Sequence, residues 1–182
     1  LAHGLAVAFL EFVTVNILGG HMNSSVTFAA GMTKKISGAR GLMFSGAQLA
    51  GAVIVASLLL VTIAEAADTN LGAHALRSDV SVSMQRIKGI LVTFTLVLII
   101  FATAVGPGEI GPLSPLAIGL TVLVDHLVAI PTLGASINAA RNFDPVLISG
   151  EWANHRIYWL GPMLGGMITS VMYQVVFINR LR

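Results

Sequence analysis

The segment LAHGLAV at Leu1–Val7 returns as LAIGLTV at Leu116–Val122, and the offset of 115 residues then holds without a gap. In that register Gly19 meets Gly134, Asn23 meets Asn138 and Phe28 meets Phe143. Further on, Gly46, Leu49 and Gly51 meet Gly161, Leu164 and Gly166. Apolar segments resemble one another by chance, but glycines, asparagines and aromatics do not fall into one register that way. The chain is therefore expected to build one structural unit twice, which restricts its architecture before any single element is considered.

The solvent of that unit follows from composition. Only 10% of the 182 residues are charged, 55% are hydrophobic and the mean hydropathy is +0.87. A soluble domain carries about 25% charged residues. A bilayer is the expected surrounding, and in lipid only helices or closed barrels satisfy their own backbone. The apolar runs are long, rich in Gly and Ala and do not alternate, so an all-α membrane protein is expected.

Each repeat reads as a spanning helix, a polar knot and a second spanning helix. In the first these are Leu1–Leu18, the knot GGHMNSSVTF at Gly19–Phe28, and Ile36–Ile63. In the second they are Leu113–Ile130, the knot GASINAARNF at Gly134–Phe143, and Arg156–Ile178. A further apolar run, Lys88–Val105, precedes the second repeat, and the offset puts its counterpart before residue 1. Five spanning helices of a set of six are thus expected, with the first absent. Three helices per half insert the halves in opposite orientations, an inverted repeat whose shared site lies near the midplane.

The expected organisation is one membrane domain: 1–63 for the first repeat, 64–87 for a connecting loop and 88–182 for the second. The loop holds Glu65, Asp68, His74, Arg77 and Asp79, and GPGEIGP at Gly106–Pro112 is a breaker-rich turn. Lys34, Lys35, Arg40, Arg180 and Arg182 would share one side of the membrane, and Arg77, Arg86, Lys88 and Arg156 the other, a small bias. The net charge of +2 is dispersed, so no nucleic-acid partner is expected. There is no cysteine and hence no disulfide or thiol chemistry. The chain begins inside an apolar run, with no cleavable signal evident. No cofactor and no metal are expected.

Asparagine is a strong helix N-cap. In each knot it precedes a segment of two or three turns, Ser24–Met32 and Ala139–Ile148. These are too short to span and must re-enter, against protein or water. Inverted symmetry brings them in from opposite faces with their N-termini opposed, each carrying about half a positive charge. Two such ends and two amides make a narrow polar site that orients a neutral hydrogen-bonding molecule and opposes cations.

Several motifs resemble the aquaporin, or major intrinsic protein, family over nearly the whole chain. They are GGHMN at Gly19–Asn23, GASINAAR at Gly134–Arg141, AQLAGA at Ala47–Ala52, NHRIYWLGPMLGG at Asn154–Gly166 and PLAIGL at Pro115–Leu120. AHG at Ala2–Gly4 is similar to plant tonoplast intrinsic proteins. The resemblance implies six helices, two half-helices, a pore in each subunit, a homotetramer, and a multi-pass protein of the vacuolar or plasma membrane. It implies paired Asn-Pro-Ala motifs, here Asn23-Ser24-Ser25 and Asn138-Ala139-Ala140, and an aromatic/arginine filter at His3, His126, Ala135 and Arg141. It also makes His21 a pore-lining candidate, although a lone histidine is equally a packing residue.

An arginine at membrane depth is costly and functional by default. Arg141 in the first turn of the second half-helix would repel cations and replace water's lost hydrogen bonds. His126 would offer a ring nitrogen opposite it. Two histidines with an alanine favour water as the solute, with ammonia or hydrogen peroxide as further guests. Glu11 is the counterpart of His126 and is expected to face a vestibule. Asp125 is rotated about 100° from His126 and should face a neighbouring helix and need a partner. Gly46, Gly51, Gly161, Gly165 and Gly166 are read as close helix crossings, and Trp152, Tyr158 and Trp159 as an interfacial belt. His155 and Asn154 would anchor the last helix.

Three departures stand against the family pattern. Both motif prolines are replaced, by Ser24 and Ala139, and the glutamate that braces the second re-entrant loop is Gly89 here. The first helix is the third. They open an alternative, a non-conducting structural subunit of a larger membrane assembly. A glycerol facilitator fits less well because His126 narrows the filter. An enzyme fits least: Glu11, His21 and His126 form no nucleophile–base or metal-ligand set.

Overall fold

A computed structural model describes residues 1–63, 80–106, 110–150 and 152–178. It is all-helical among the described residues: α1 Ala2–Leu18, α2 Ser24–Met32, α3 Gly38–Thr62, α4 Val82–Ile100, α5 Ser114–Leu133, α6 Ala139–Ser149 and α7 Ile157–Met172. Helix α4 runs on into a π-helical turn, Phe101–Val105, and α7 into another, Tyr173–Ile178. Four of these rods are long and apolar enough to cross a membrane, and α1 is a shorter apolar helix of 17 residues. The expected Glu65, Asp68, His74, Arg77, Asp79, Arg180 and Arg182 lie outside the described residues, as does the middle of the turn at 107–109.

The repeat is visible in how elements stop and start. Helix α1 ends at Gly19 with φ 78°, and α5 ends at its counterpart Gly134 with φ 84°. The next residues, Gly20 and Ala135, also have positive φ, 67° and 58°. These left-handed steps turn the chain from the end of a long helix into a short one. Ala135 holds that conformation with a side chain, and is 1% exposed.

Helices α1 and α5 cross on each other through repeat-equivalent glycines. A Cβ on Gly4 would lie 2.7 Å from the Gly119 carbonyl, and one on Gly119 would lie 2.5 Å from the Gly4 carbonyl. The crossing is therefore near the pseudo-twofold axis. Helices α4 and α7 make a second tight pair: a Cβ on Gly165 would sit 2.5 Å from the Ile90 carbonyl. Gly89, the position of the absent glutamate, packs on Gly161, whose added Cβ would be 3.6 Å from the Gly89 carbonyl carbon.

Some expectations are corrected. Helix α4 begins at Val82, ahead of the expected Lys88, because the Ser81 hydroxyl accepts from the Met84 N–H at 3.3 Å and caps it. Gly46 and Gly51 meet nothing within 4 Å. Only 6% of the apolar window of α3 is buried against 39% for Ile157–Ile178, because among the described elements α3 packs mainly on the short helices α6 and α2, whereas α7 packs along the full-length α4 as well as on α2. Tyr158 is 1% exposed and belongs to the core, not to an interfacial belt, whereas Trp152 is open. Asp125 is 4% exposed, but its Oδ2 has no hydrogen-bond partner.

Candidate functional site

The two knots meet, with their caps bonded across the axis. Asn23 caps α2 by accepting from the Ser25 N–H at 2.9 Å, and Asn138 caps α6 by accepting from the Ala140 N–H at 3.1 Å. Asn23 Nδ2 donates to the Ile137 carbonyl at 3.0 Å, and Asn138 Nδ2 donates to the Met22 carbonyl at 3.1 Å. Met22 and Ile137 are themselves repeat equivalents. Each amide spends one N–H on this exchange and keeps a second.

Ser24 adds a link that a proline could not make. Its N–H donates to Asn138 Oδ1 at 3.2 Å and its hydroxyl to the same oxygen at 3.1 Å. The hydroxyl also accepts from the Ala140 N–H at 3.1 Å. Proline fixes the first helical turn by its ring; Ser24 fixes it by tying α2 to α6. Ser24, Ser25, Ala139 and Ala140 are all buried.

A cavity of about 430 Å³ runs beside these caps. Helix α1 and its terminating Gly19 line it with His3, Val7, Glu11, Val15 and Gly19, one residue every four along one side of the helix. Such a stripe is about 24 Å long. Asn23, Asn138, His21 and Lys35 also line it. Among the filter candidates only His3 reaches the cavity.

His3 and His126 close on each other, with His3 Nδ1 2.8 Å from His126 Nε2 and the rings edge to face at 4.5 Å. His126 Nδ1 is 2.8 Å from the Val122 carbonyl, which can only accept, so Nδ1 carries the proton. In the neutral ring Nε2 then accepts from His3 Nδ1. Both nitrogens of His126 are thus engaged, and His3 Nε2 is the free acceptor, a change from the expectation that His126 presents one. Arg141, in the first turn of α6, acts electrostatically on both rings.

One support escaped the sequence reading. Gln48 Nε2 donates to the His21 carbonyl at 2.7 Å and to Thr27 Oγ1 at 2.9 Å, holding the first loop from α3. His21 stacks on Phe44 at 4.7 Å and has its Nδ1 3.2 Å from Thr27 Oγ1, so it packs and lines the cavity at once. A lone glutamine inside an apolar helix was the available signal.

His155 links α6 to α7. Its Nε2 accepts from the Trp159 indole N–H at 2.7 Å. Its Nδ1, 3.3 Å from the Asn142 amide, then carries the ring proton, which requires the Asn142 oxygen on that side. Burial lowers the pKa of His155 below the ordinary histidine value. A histidine held neutral contributes stability above its unfolded pKa, and loses it as pH falls toward the folded value. Tryptophan fluorescence should therefore change with a midpoint below about pH 6.5, and His155→Gln should remove that transition.

Comparison with known proteins adds to this geometry. The Major intrinsic protein family profile matches residues 1–173. The chain belongs to the major intrinsic protein family. It is 42% identical over 182 residues to "Aquaporin TIP1-2" of Musa acuminata, covering 99% of this chain and 71% of that protein. It is 41% identical over 180 residues to "Probable aquaporin TIP3-2" of Arabidopsis thaliana, covering 98% and 66%. The solved aquaglyceroporin from Plasmodium falciparum superposes with a TM-score of 0.78 at 17% identity, over 98% of this chain and 81% of that one. That likeness shows the fold, and the family match together with the four apolar helices makes the chain an integral membrane protein.

Proposed function

We propose that this chain forms a passive channel for water. The carrying observation is the pair of reciprocally bonded asparagine caps on one narrow cavity, each with an N–H left to offer. Relatives named aquaporin over nearly the whole chain support the reading. Water moving past Asn23 and Asn138 would donate forward and accept from the amides, while the two helix N-termini oppose protons and cations. His3, His126, Ala135 and Arg141 form the filter, in which the clasped imidazoles restrict width and favour water over glycerol; ammonia and hydrogen peroxide are small enough to follow. The protein assembles as a homotetramer in a lipid bilayer.

The lost prolines are the ground for the alternative, a non-conducting subunit of a heteromeric assembly. The Ser24 bridge weighs against it, since the opposed caps are held without proline. Arg141→Val tests the filter directly. Proteoliposomes of the variant should keep water flux and admit solutes and protons that the wild type excludes. Unchanged exclusion would remove Arg141 from the filter.

A further inference from the structure

The filter positions have counterparts under the repeat. The offset of 115 carries His126, Ala135, Arg141 and His3 back to Glu11, Gly20, Val26 and Ile118. All four of these residues line the cavity. Glu11 is 7% exposed, Val26 7% and Ile118 5%. A Cβ on Gly20 would fall on Glu11 Oε2, so the carboxylate rests against the glycine turn. No hydrogen bond or ion pair reaches that carboxylate among the described residues. It is buried, unpartnered and aimed into the cavity.

The two sets of positions therefore differ in sign: the filter positions include Arg141, and their counterparts include a carboxylate in place of His126. We propose that Glu11, Gly20, Val26 and Ile118 form a second station, which binds a small planar organic cation bearing N–H donors. The inference rests on reading this cavity as the conduit.

The chemistry of the walls selects the ligand. A hard metal ion takes about six oxygen ligands, and the described residues hold no group of three or more metal-ligating side chains. One carboxylate between aliphatic side chains instead suits a guanidinium-type cation. Two parallel N–H groups pair with the carboxylate oxygens, and the weakly hydrated faces lie on Val26 and Ile118. The other charged and titratable groups on the cavity are Lys35, His21 and His3. Lys35 lowers the affinity by repulsion without occupying the carboxylate. The bound cation does not go further, because both half-helix N-termini face it. It fills the conduit and slows water.

The test uses the complete chain. Calorimetric titration in detergent with millimolar guanidinium chloride should show saturable binding of one cation per chain. Tetramethylammonium, which has no N–H, should bind about tenfold more weakly. Glu11→Gln should weaken guanidinium binding by about tenfold or more, whereas Arg141→Val should not weaken it. In proteoliposomes, the ratio of water flux with and without guanidinium should fall well below one for the wild type and return toward one for Glu11→Gln. Absence of saturable binding, equal binding of tetramethylammonium, or equal binding by Glu11→Gln overturns the station, whether or not water passes. Glu11-dependent binding in a protein that passes no water sustains the station and removes the channel reading instead.

Discussion

Gly119→Leu drives α1 and α5 apart and destabilises the protein by about 1–3 kcal/mol or more. The first side-chain atom alone would sit 2.5 Å from Ala8 Cβ and from the Gly4 carbonyl. Neither neighbour is the free end of a flexible side chain, so the helix axes must move. Gly4 and Gly119 are repeat equivalents on one crossing, and a Cβ on either would run into the other's carbonyl. The same two helices carry the His3-to-Gly19 stripe and the Ile118 and Val122 walls, so their separation also opens the cavity. Thermal unfolding in detergent should show a clear fall in Tm. Gly46→Leu provides the comparison, because a Cβ there meets nothing within 4 Å. It should stay within about 0.5 kcal/mol of the wild type. Equal losses at the two positions would contradict the crossing.

Asn138→Ala should abolish water flux. Asn138 Oδ1 accepts from Ser24 N, Ser24 Oγ and Ala140 N, and Nδ2 donates to the Met22 carbonyl. Loss of the cap costs about 0.5–2 kcal/mol, and buried donors left without an acceptor cost about 1–3 kcal/mol more. Ser24 loses its acceptor at the same time, so of the bonds between the two knots only Ala140 N–H to Ser24 Oγ and Asn23 Nδ2 to the Ile137 carbonyl remain. The variant should still insert, with a lowered Tm and water flux at the level of empty vesicles. Ser24→Ala removes only the hydroxyl and should have a smaller effect on both readouts.

Much of this arrangement was legible because it is local or repeated. The re-entrant helix Ser24–Met32 begins and ends where its asparagine cap and apolar length put it, and Ala139–Ser149 runs one residue past its expected end. The positive-φ turns follow from Gly19 and Gly134. What was not legible depends on which face of a helix finds a neighbour. Gly46 and Gly51 match Gly161 and Gly166 in sequence, yet only the second pair meets another helix: Gly161 faces α4 and Gly166 faces α2, whereas the faces of α3 that carry Gly46 and Gly51 are not the ones that meet α2 and α6. Tyr158 carries the composition of an interface residue and sits in the core, since α7 turns that position inward. The site hid one support for a related reason. Gln48 reaches the first loop from α3, and the 115-residue offset puts Met163 opposite it, so symmetry could not point to it. Ser24 counted as a lost proline in the sequence, and its bonds to Asn138 and Ala140 exist only once the halves are docked.

The most direct test of the central claim is osmotic shrinkage of proteoliposomes holding the complete protein, followed by light scattering. The account predicts shrinkage much faster than in empty vesicles, and a return to the empty-vesicle rate with Asn138→Ala at equal incorporation. Wild-type shrinkage no faster than empty vesicles would contradict a conducting pore and leave the structural subunit as the function.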